Sequence, residues 1–441
     1  MTAPSATVVG GGLAGCEAAW QLAQRGINVQ LVEMKPIRMS PAHHSEHLAE
    51  LVCSNSFRSD RLSNAVGLLK EEMRIMGSLI LKCADATRIP AGGALAVDRD
   101  GFARLVTESI RNHPNIQLIH EEADSVPEGA TIIATGPLTS DSLAEVIQKL
   151  PGLSTLNFFD AAAPIVTKES LNESRLFRLS RYNRGSDYLN APLNEEEYGT
   201  FIRELTKAET APVHGFEENM VFEGCMPIES MARRGFMVPA FGPMKPVGLI
   251  DPRTGKEPFA VVQLRQDNAA DTLYNLVGFQ TRLKFGEQKR VFSLIPGLEE
   301  AEFVRYGVMH RNTFLKSPGF LNSRFGVIGR KHLYFAGQIT GVEGYVESAG
   351  SGLVAGISLA EELNGSAVTD FPSYTALGSL GKHVSTSNRD FQPMNCTFGM
   401  IDPLPYVPGQ KRIRKKQEKY EAVAARALEY IHSISKVTGG V

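Results

Sequence analysis

The stretch Val8-Val9-Gly10-Gly11-Gly12-Leu13-Ala14-Gly15 most constrains what this chain can fold into. A short apolar run meets a glycine turn, and a helical pattern follows from Cys16 through Ala23. Gly10, Gly12 and Gly15 fill the glycine positions of G-x-G-x-x-G. The first suits a tight turn, the second lets backbone N–H groups approach a pyrophosphate, and the third lets helix pack closely on strand. The helix start then offers unpaired N–H donors and a positive dipole end to an anion. Gly10, Gly11, Gly12, Leu13, Ala14 and Gly15 are therefore expected nucleotide contacts. A second strand pattern, Ile27 to Val32, ends in Glu33. That acid falls about 20 residues past the glycines, where a ribose hydroxyl is held.

The chain has 441 residues, and about 150 residues per domain points to two or three domains. Hydrophobic residues make up 43% and charged residues 21%, which is globular composition. No apolar run reaches the roughly 18 residues of a membrane span. The N-terminus enters a strand without a basic and apolar leader, so no signal peptide is expected. The five cysteines (Cys16, Cys53, Cys83, Cys225, Cys396) are scattered and form no C-x-x-C pair. That argues against zinc and dithiol motifs and for reduced thiols in the cytoplasm. A net charge of −2 leaves only a local basic patch to serve a polyanion.

Beyond Glu33 the apolar residues Leu68, Leu69, Met73, Met76, Leu79 and Ile80 recur at helical spacing, and one helix is expected. Asp98 reads as the cap of another. Thr131-Ile132-Ile133-Ala134-Thr135-Gly136 reads as a strand ending in a glycine turn, either a plain sheet strand or one packed on a nucleotide. From about Ala161 to Arg305 the βαβ rhythm gives way to strand runs and Pro/Gly turns, which reads as an inserted α+β domain. The first pattern resumes at Leu333-Tyr334-Phe335-Ala336-Gly337-Gln338. A helix opening near Gly344 and Tyr345 follows, its N-terminus suited to an electron-rich ring edge. Three strand ends, at Gly10, Gly136 and Gly337, converging on one ligand fit FAD better than a soluble nicotinamide. The expected architecture is α/β: a Rossmann-like FAD-binding domain of residues 1–160 and 306–441, with residues 161–305 inserted. A basic C-terminal helix is expected over 411–435. Lys411, Arg412, Arg414 and Lys415 there are either a phosphate contact or a solvated face.

Cys16, Cys83 and Cys396 read as small buried hydrophobes. Cys53 stands among Ser54, Asn55, Ser56 and Arg58, and Cys225 between Gly224 and Met226-Pro227. Polar, glycine-flanked thiols near cations or helix starts can act as thiolates.

Several segments resemble one family, the folate- and FAD-dependent tRNA (uracil-5-)-methyltransferases of the TrmFO type. They are Gly10 to Gly15, Glu50 to Ser56, Asn64 to Arg74, Pro90 to Arg99, Phe222 to Glu229, Phe241 to Leu249, His310 to Thr313, and Phe335 to Gly352. The resemblance implies a glutathione-reductase-like flavoprotein fold related to GidA/MnmG. It also implies C5 methylation of the T-loop uridine-54 of tRNA. The carbon would come from 5,10-methylenetetrahydrofolate and the reducing equivalents from FAD reduced by NAD(P)H. It gives Cys225 the role of nucleophile and Cys53 that of general acid/base, with the two exchangeable. It places His310, with Arg311 beside it, at the folate pterin, although a histidine there is also at home as a hydrogen-bonded core residue. No metal and no membrane are implied, and the oligomeric state is open. Two segments depart from the family pattern: Phe236-Met237-Val238-Pro239-Ala240 is apolar where a polar run is usual, and Tyr182 to Asn190 is shortened.

Two other readings compete. A GidA/MnmG-type uridine-modifying flavoprotein shares the fingerprint, but its members carry a further C-terminal helical domain. A small-molecule FAD oxidoreductase explains the glycines but not the paired thiols or the basic tail.

Overall fold

Glycine punctuation and apolar strand cores place the elements, seen here in a computed structural model. It describes residues 4–153, 155–161, 163–182, 185–212, 226–307, 309–388, 391–405 and 413–435, with 155–161 and 309–313 described in their backbone alone. The first part runs β1 (Ser5–Val9), α1 (Leu13–Gln24), β2 (Asn28–Glu33), β3 (Ser56–Ser59), α2 (Ala65–Ile75), α3 (Leu79–Ala86), β4 (Arg88–Ile89), β5 (Ala94–Val97), α4 (Arg99–Arg111), β6 (Ile116–His120), β7 (Thr131–Ile133) and α5 (Asp141–Gln148). The middle part runs β8 (Thr155–Ala161), β9 (Ile165–Thr167), β10 (Phe177–Arg178), β11 (Tyr188–Leu193), α6 (Glu195–Lys207), α7 (Ile228–Arg234), α8 (Val238–Phe241), β12 (Ala260–Gln266), β13 (Leu273–Leu276), α9 (Phe285–Phe292), β14 (Phe303–Arg305) and β15 (Met309–Leu315). The last part is β16 (Leu333–Phe335), α10 (Tyr345–Asn364), α11 (Ala376–Ser385) and α12 (Lys416–Ser435).

Five strands form a parallel sheet in the order β16-β7-β1-β2-β6. The three strands at one end of this order, β16, β7 and β1, lead into Gly337, Gly136 and Gly10. An antiparallel sheet of order β10-β11-β12-β13-β9-β14 is built wholly from residues 165–305. Its core holds Tyr198, Phe201, Phe279 and Phe292, all fully buried. The chain passes between the two sheets along an antiparallel ribbon in which β8 pairs with β15.

Helices α1 and α10 approach closely because glycine removes the side chains between them. A Cβ on Gly352 would lie 2.2 Å from the Ala14 carbonyl oxygen, and one on Gly356 would lie 2.8 Å from that of Ala18. The Gly350-Ser351-Gly352 run thus serves helix packing.

Two expectations need correction. The single helix expected across Leu68 to Ile80 is two, α2 and α3. Gly77 adopts φ +74° between them, and the Ser78 hydroxyl caps α3 by accepting from Leu81 N at 3.2 Å. Buried Glu17 of α1 then accepts from Ser78 Oγ at 2.6 Å and Ile80 N at 3.0 Å. The basic C-terminal helix begins at Lys416 rather than 411. Arg414 and Lys415 precede it, and cations at a helix N-terminus oppose its dipole. Its buried face is Val423, Ala424, Ala427 and Ile431. Asp98 caps α4 as expected, accepting from Gly101 N at 2.5 Å.

Candidate active site

Above the glycine ends of the parallel strands lies a cleft of about 1070 Å³ measured out to its mouth. Gly10, Gly11, Gly12, Leu13, Ala14, Glu33, Gly136, Gly337, Gln338 and Tyr345 all line it. Gly10 (φ +104°) turns the chain so tightly that a Cβ would meet the Ala134 carbonyl oxygen at 2.6 Å. Gly15 lies behind the cleft, where a Cβ would fall 1.8 Å from the Gly10 carbonyl oxygen. Gly12 is different: it stands at the start of α1, no side chain caps that helix, and a Cβ there would meet nothing within 4 Å. The free space in front of an uncapped helix N-terminus is a cradle for an anionic nucleotide. The residues present thus fit FAD. The Glu33 carboxylate accepts from Gly11 N at 2.5 Å and from Lys35 N at 3.0 Å, which fixes the acid at the cleft wall. Gly344 does not line the cleft. It caps α10 at φ +110°, and a Cβ on it would press into Glu347 Oε2 at 2.5 Å.

The Cys53 loop sits against this cleft. Cys53 is half-buried, and its backbone N–H donates to the Tyr345 hydroxyl at 2.8 Å, as does that of Ser54 at 3.1 Å. Tyr345, the first residue of α10, therefore touches both the cofactor cleft and the thiol loop. Burial, with the nearby Cys53 thiol, pushes the Tyr345 phenol well above its ordinary pKa, so the ring stays neutral. Arg99 is buried at the start of α4, pairs with Asp267 through two bonds of 3.0 and 3.1 Å, and donates to the Leu51 carbonyl. Burial opposes its charge, but Asp267, Tyr345 and Cys53 outweigh burial and raise its pKa. Burial, followed by Arg99, lowers the pKa of Arg305, which also feels Tyr345, Glu50 and Cys53. Two guanidinium groups thus lie within Coulombic reach of Cys53.

The other three described cysteines differ. Cys16, Cys83 and Cys396 are buried. Burial raises all three thiol pKa values, that of Cys83 to about 11. Cys225, Lys411 and Arg412 lie outside the described residues. His310 and Arg311 fall on β15 opposite Asp160 and Phe159, with their side chains outside the description. Arg414 and Lys415 are exposed, and Lys415 pairs with Glu418 at 3.0 Å. In the apolar 236–240 run Phe236, Met237 and Val238 are exposed, while Pro239 and Ala240 are buried in α8. Sequence reading missed Arg99, Arg265 and Asp267. Arg265 and Asp267 fall just after the run from Phe259 to Leu264, and nothing in that run marks what they reach.

A family model described as "Glucose inhibited division protein A" matches residues 5–367. The methylenetetrahydrofolate–tRNA-(uracil-5-)-methyltransferase TrmFO of Staphylococcus carnosus is 57% identical over 432 residues, covering 97% of this chain and 98% of its own. The same-named protein of Acetivibrio thermocellus is 58% identical over 427 residues, covering 96% and 97%. Among solved structures, Aquifex aeolicus GidA superposes with a TM-score of 0.72 at 16% identity, covering 99% of this chain and 74% of that one. At that identity the likeness shows a shared fold.

Proposed function

The chain belongs to the TrmFO family of methylenetetrahydrofolate–tRNA-(uracil-5-)-methyltransferases, and we propose from that premise how its residues perform the reaction. The enzyme methylates uracil C5 in tRNA, with 5,10-methylenetetrahydrofolate as carbon donor and FAD as cofactor. When bound and reduced by NAD(P)H, FAD supplies the reducing equivalents that complete the methyl group. The target is T-loop uridine-54, and the compartment is the cytoplasm.

Uracil C5 is a weak nucleophile. A thiolate adding at C6 makes C5 enolate-like and able to capture the methylene carbon. A base then removes the C5 proton as the bond between the methylene carbon and the folate nitrogen breaks and tetrahydrofolate leaves. Addition to the exocyclic methylene of the hydride that reduced FAD would supply completes the methyl group, and the sulfur leaves C6 as the double bond re-forms. Cys225 takes the addition and Cys53 the proton transfer; the exchanged assignment uses the same two sulfurs. Gly10 to Gly15 and the α1 N-terminus hold the cofactor pyrophosphate. Glu33 holds a ribose, and Gly136, Gly337, Gln338 and Tyr345 frame the remainder. His310 and Arg311 bind the folate. Residues 1–160 with 306–441 form the FAD unit, and 161–305 form the insert. Lys411, Arg412, Arg414 and Lys415 meet tRNA phosphates.

The observation that carries this reading is the Tyr345 hydroxyl, which holds the Cys53 backbone at the wall of the glycine-lined cleft. The test uses yellow holoenzyme, a tRNA transcript, methylenetetrahydrofolate and NADPH, followed by nuclease digestion. 5-Methyluridine is expected, and Cys53→Ser and Cys225→Ser are each expected to abolish it with FAD retained. NADPH oxidation without 5-methyluridine would favour a small-molecule oxidoreductase. Neutralising Arg414 and Lys415 should lower the salt slope of tRNA binding by about 1 for each phosphate the side chains no longer neutralise.

A further inference from the structure

The loop that carries Cys53 is held from two sides. Tyr345 holds the backbone N–H groups of Cys53 and Ser54 from the cofactor side. The end of β12, in the middle sheet, holds the same loop from the other. Arg265 Nη2 donates to Ser54 Oγ at 2.6 Å, and its Nε donates to Asn55 Oδ1 at 2.9 Å. Asn55 Nδ2 returns a bond to the Gln266 carbonyl at 3.0 Å. Asp267, next in sequence, fixes Arg99, whose guanidinium holds the Leu51 carbonyl. Three consecutive residues of one strand end thus grip Leu51, Ser54 and Asn55 on both sides of Cys53.

These bonds are not needed to hold the middle sheet together. Arg265 already sits in register between Tyr188 and Asn275 through backbone pairing. Its side chain, only 7% exposed, reaches out of the sheet to two uncharged oxygens on a loop some 210 residues away in sequence. Burying a guanidinium carries a desolvation penalty that an apolar residue would avoid. The placement therefore serves the loop, and a reacting group misplaced by about 1 Å loses on the order of 100-fold in rate.

We propose that Arg265 is a positioning residue for the methylation reaction, aligning the Cys53 loop with the cofactor cleft. The proposal rests on the reading of Cys53 as a reacting thiol. The FAD-loaded enzyme tests it in three variants, Arg265→Gln, Ser54→Ala and the two combined. In Arg265→Gln, amide hydrogen exchange over residues 51–56 should quicken about fivefold or more. Its kcat for 5-methyluridine should fall about tenfold or more, with the KM for tRNA and the FAD content unchanged. Ser54→Ala removes one acceptor without touching charge and should lower kcat about threefold. It carries the test alone if Arg265→Gln fails to retain FAD. The double variant should lose less than the two single losses combined, since the two side chains share one hydrogen bond, while Ser54 Oγ also accepts from Ser56 N at 3.1 Å. Wild-type exchange and kcat in the single variants, or fully additive losses in the double, overturn the proposal. Full activity in Cys53→Ser would instead remove the reading beneath it. An inactive Cys53→Ser beside a wild-type-like Arg265→Gln sinks the positioning role alone.

Discussion

The glycine-lined crossover and the clamp on the Cys53 loop meet at Tyr345, yet they are built in opposite ways. The crossover works by removing side chains: Gly15 lets α1 sit on the β1 turn, Gly352 and Gly356 let α10 sit on α1, and Gly12 leaves the space in front of the helix empty. The clamp works by adding them. Arg99, Asp267, Arg265 and Asn55 are long or polar groups taken out of water and satisfied by one another. Backbone approach tolerates no substitution. A hydrogen-bonded clamp degrades bond by bond, because each group keeps some partners when another is removed.

The largest expected effect breaks the crossover. Gly15→Ala puts a methyl where the Gly10 carbonyl oxygen already lies, at 1.8 Å, and neither backbone can move without opening β1 from α1. Denaturant unfolding should show a loss of about 5 kcal/mol, with no FAD retained. Stability within about 1 kcal/mol of wild type would mean that the close approach is not essential.

Asp267→Asn comes next. It leaves the buried Arg99 guanidinium without its carboxylate, and removal of one partner from such a pair destabilises by about 3 kcal/mol. Unfolding should report that loss while the glycine cleft still binds FAD. Equal losses of stability and FAD would merge the two regions into one unit.

A pH slope under the thiol loop tests a group that belongs to neither region. Lys70 of α2 donates to the Phe57 and Ser59 carbonyls at 2.9 and 2.6 Å, and burial lowers its pKa from 10.5 to about 7. Between those values the unfolded chain binds a proton that the folded chain does not, so this group makes stability rise with pH. Below the folded value both states are protonated and the slope vanishes. In Lys70→Met the rise between pH 7 and 10.5 should flatten, as read by urea midpoints across that window. An unchanged slope would assign the titration elsewhere.

The same contrast explains what the sequence revealed. The β1 turn was readable because its physics is local: four glycines within six residues, with an acid ending the next strand. Gly10 to Ala14 and Glu33 line one cleft for that reason. The break at Gly77-Ser78 was also local but was overridden by apolar spacing that runs across both helices. The clamp was not readable, since Arg265 and Ser54 meet only after two sheets have formed and packed. Nothing in the spacing of Phe259 to Leu264 marks where the next side chain will reach.

Gly12 provides the most direct test of the account, because there the fold and the cofactor make separable demands. Its φ of −76° suits any residue, and a Cβ on it meets no protein atom within 4 Å. Gly12→Val should therefore fold like the parent by circular dichroism and melting, yet purify without the visible absorbance of bound flavin. A Gly12→Val protein that keeps a full complement of FAD would contradict the placement of the cofactor in this cleft.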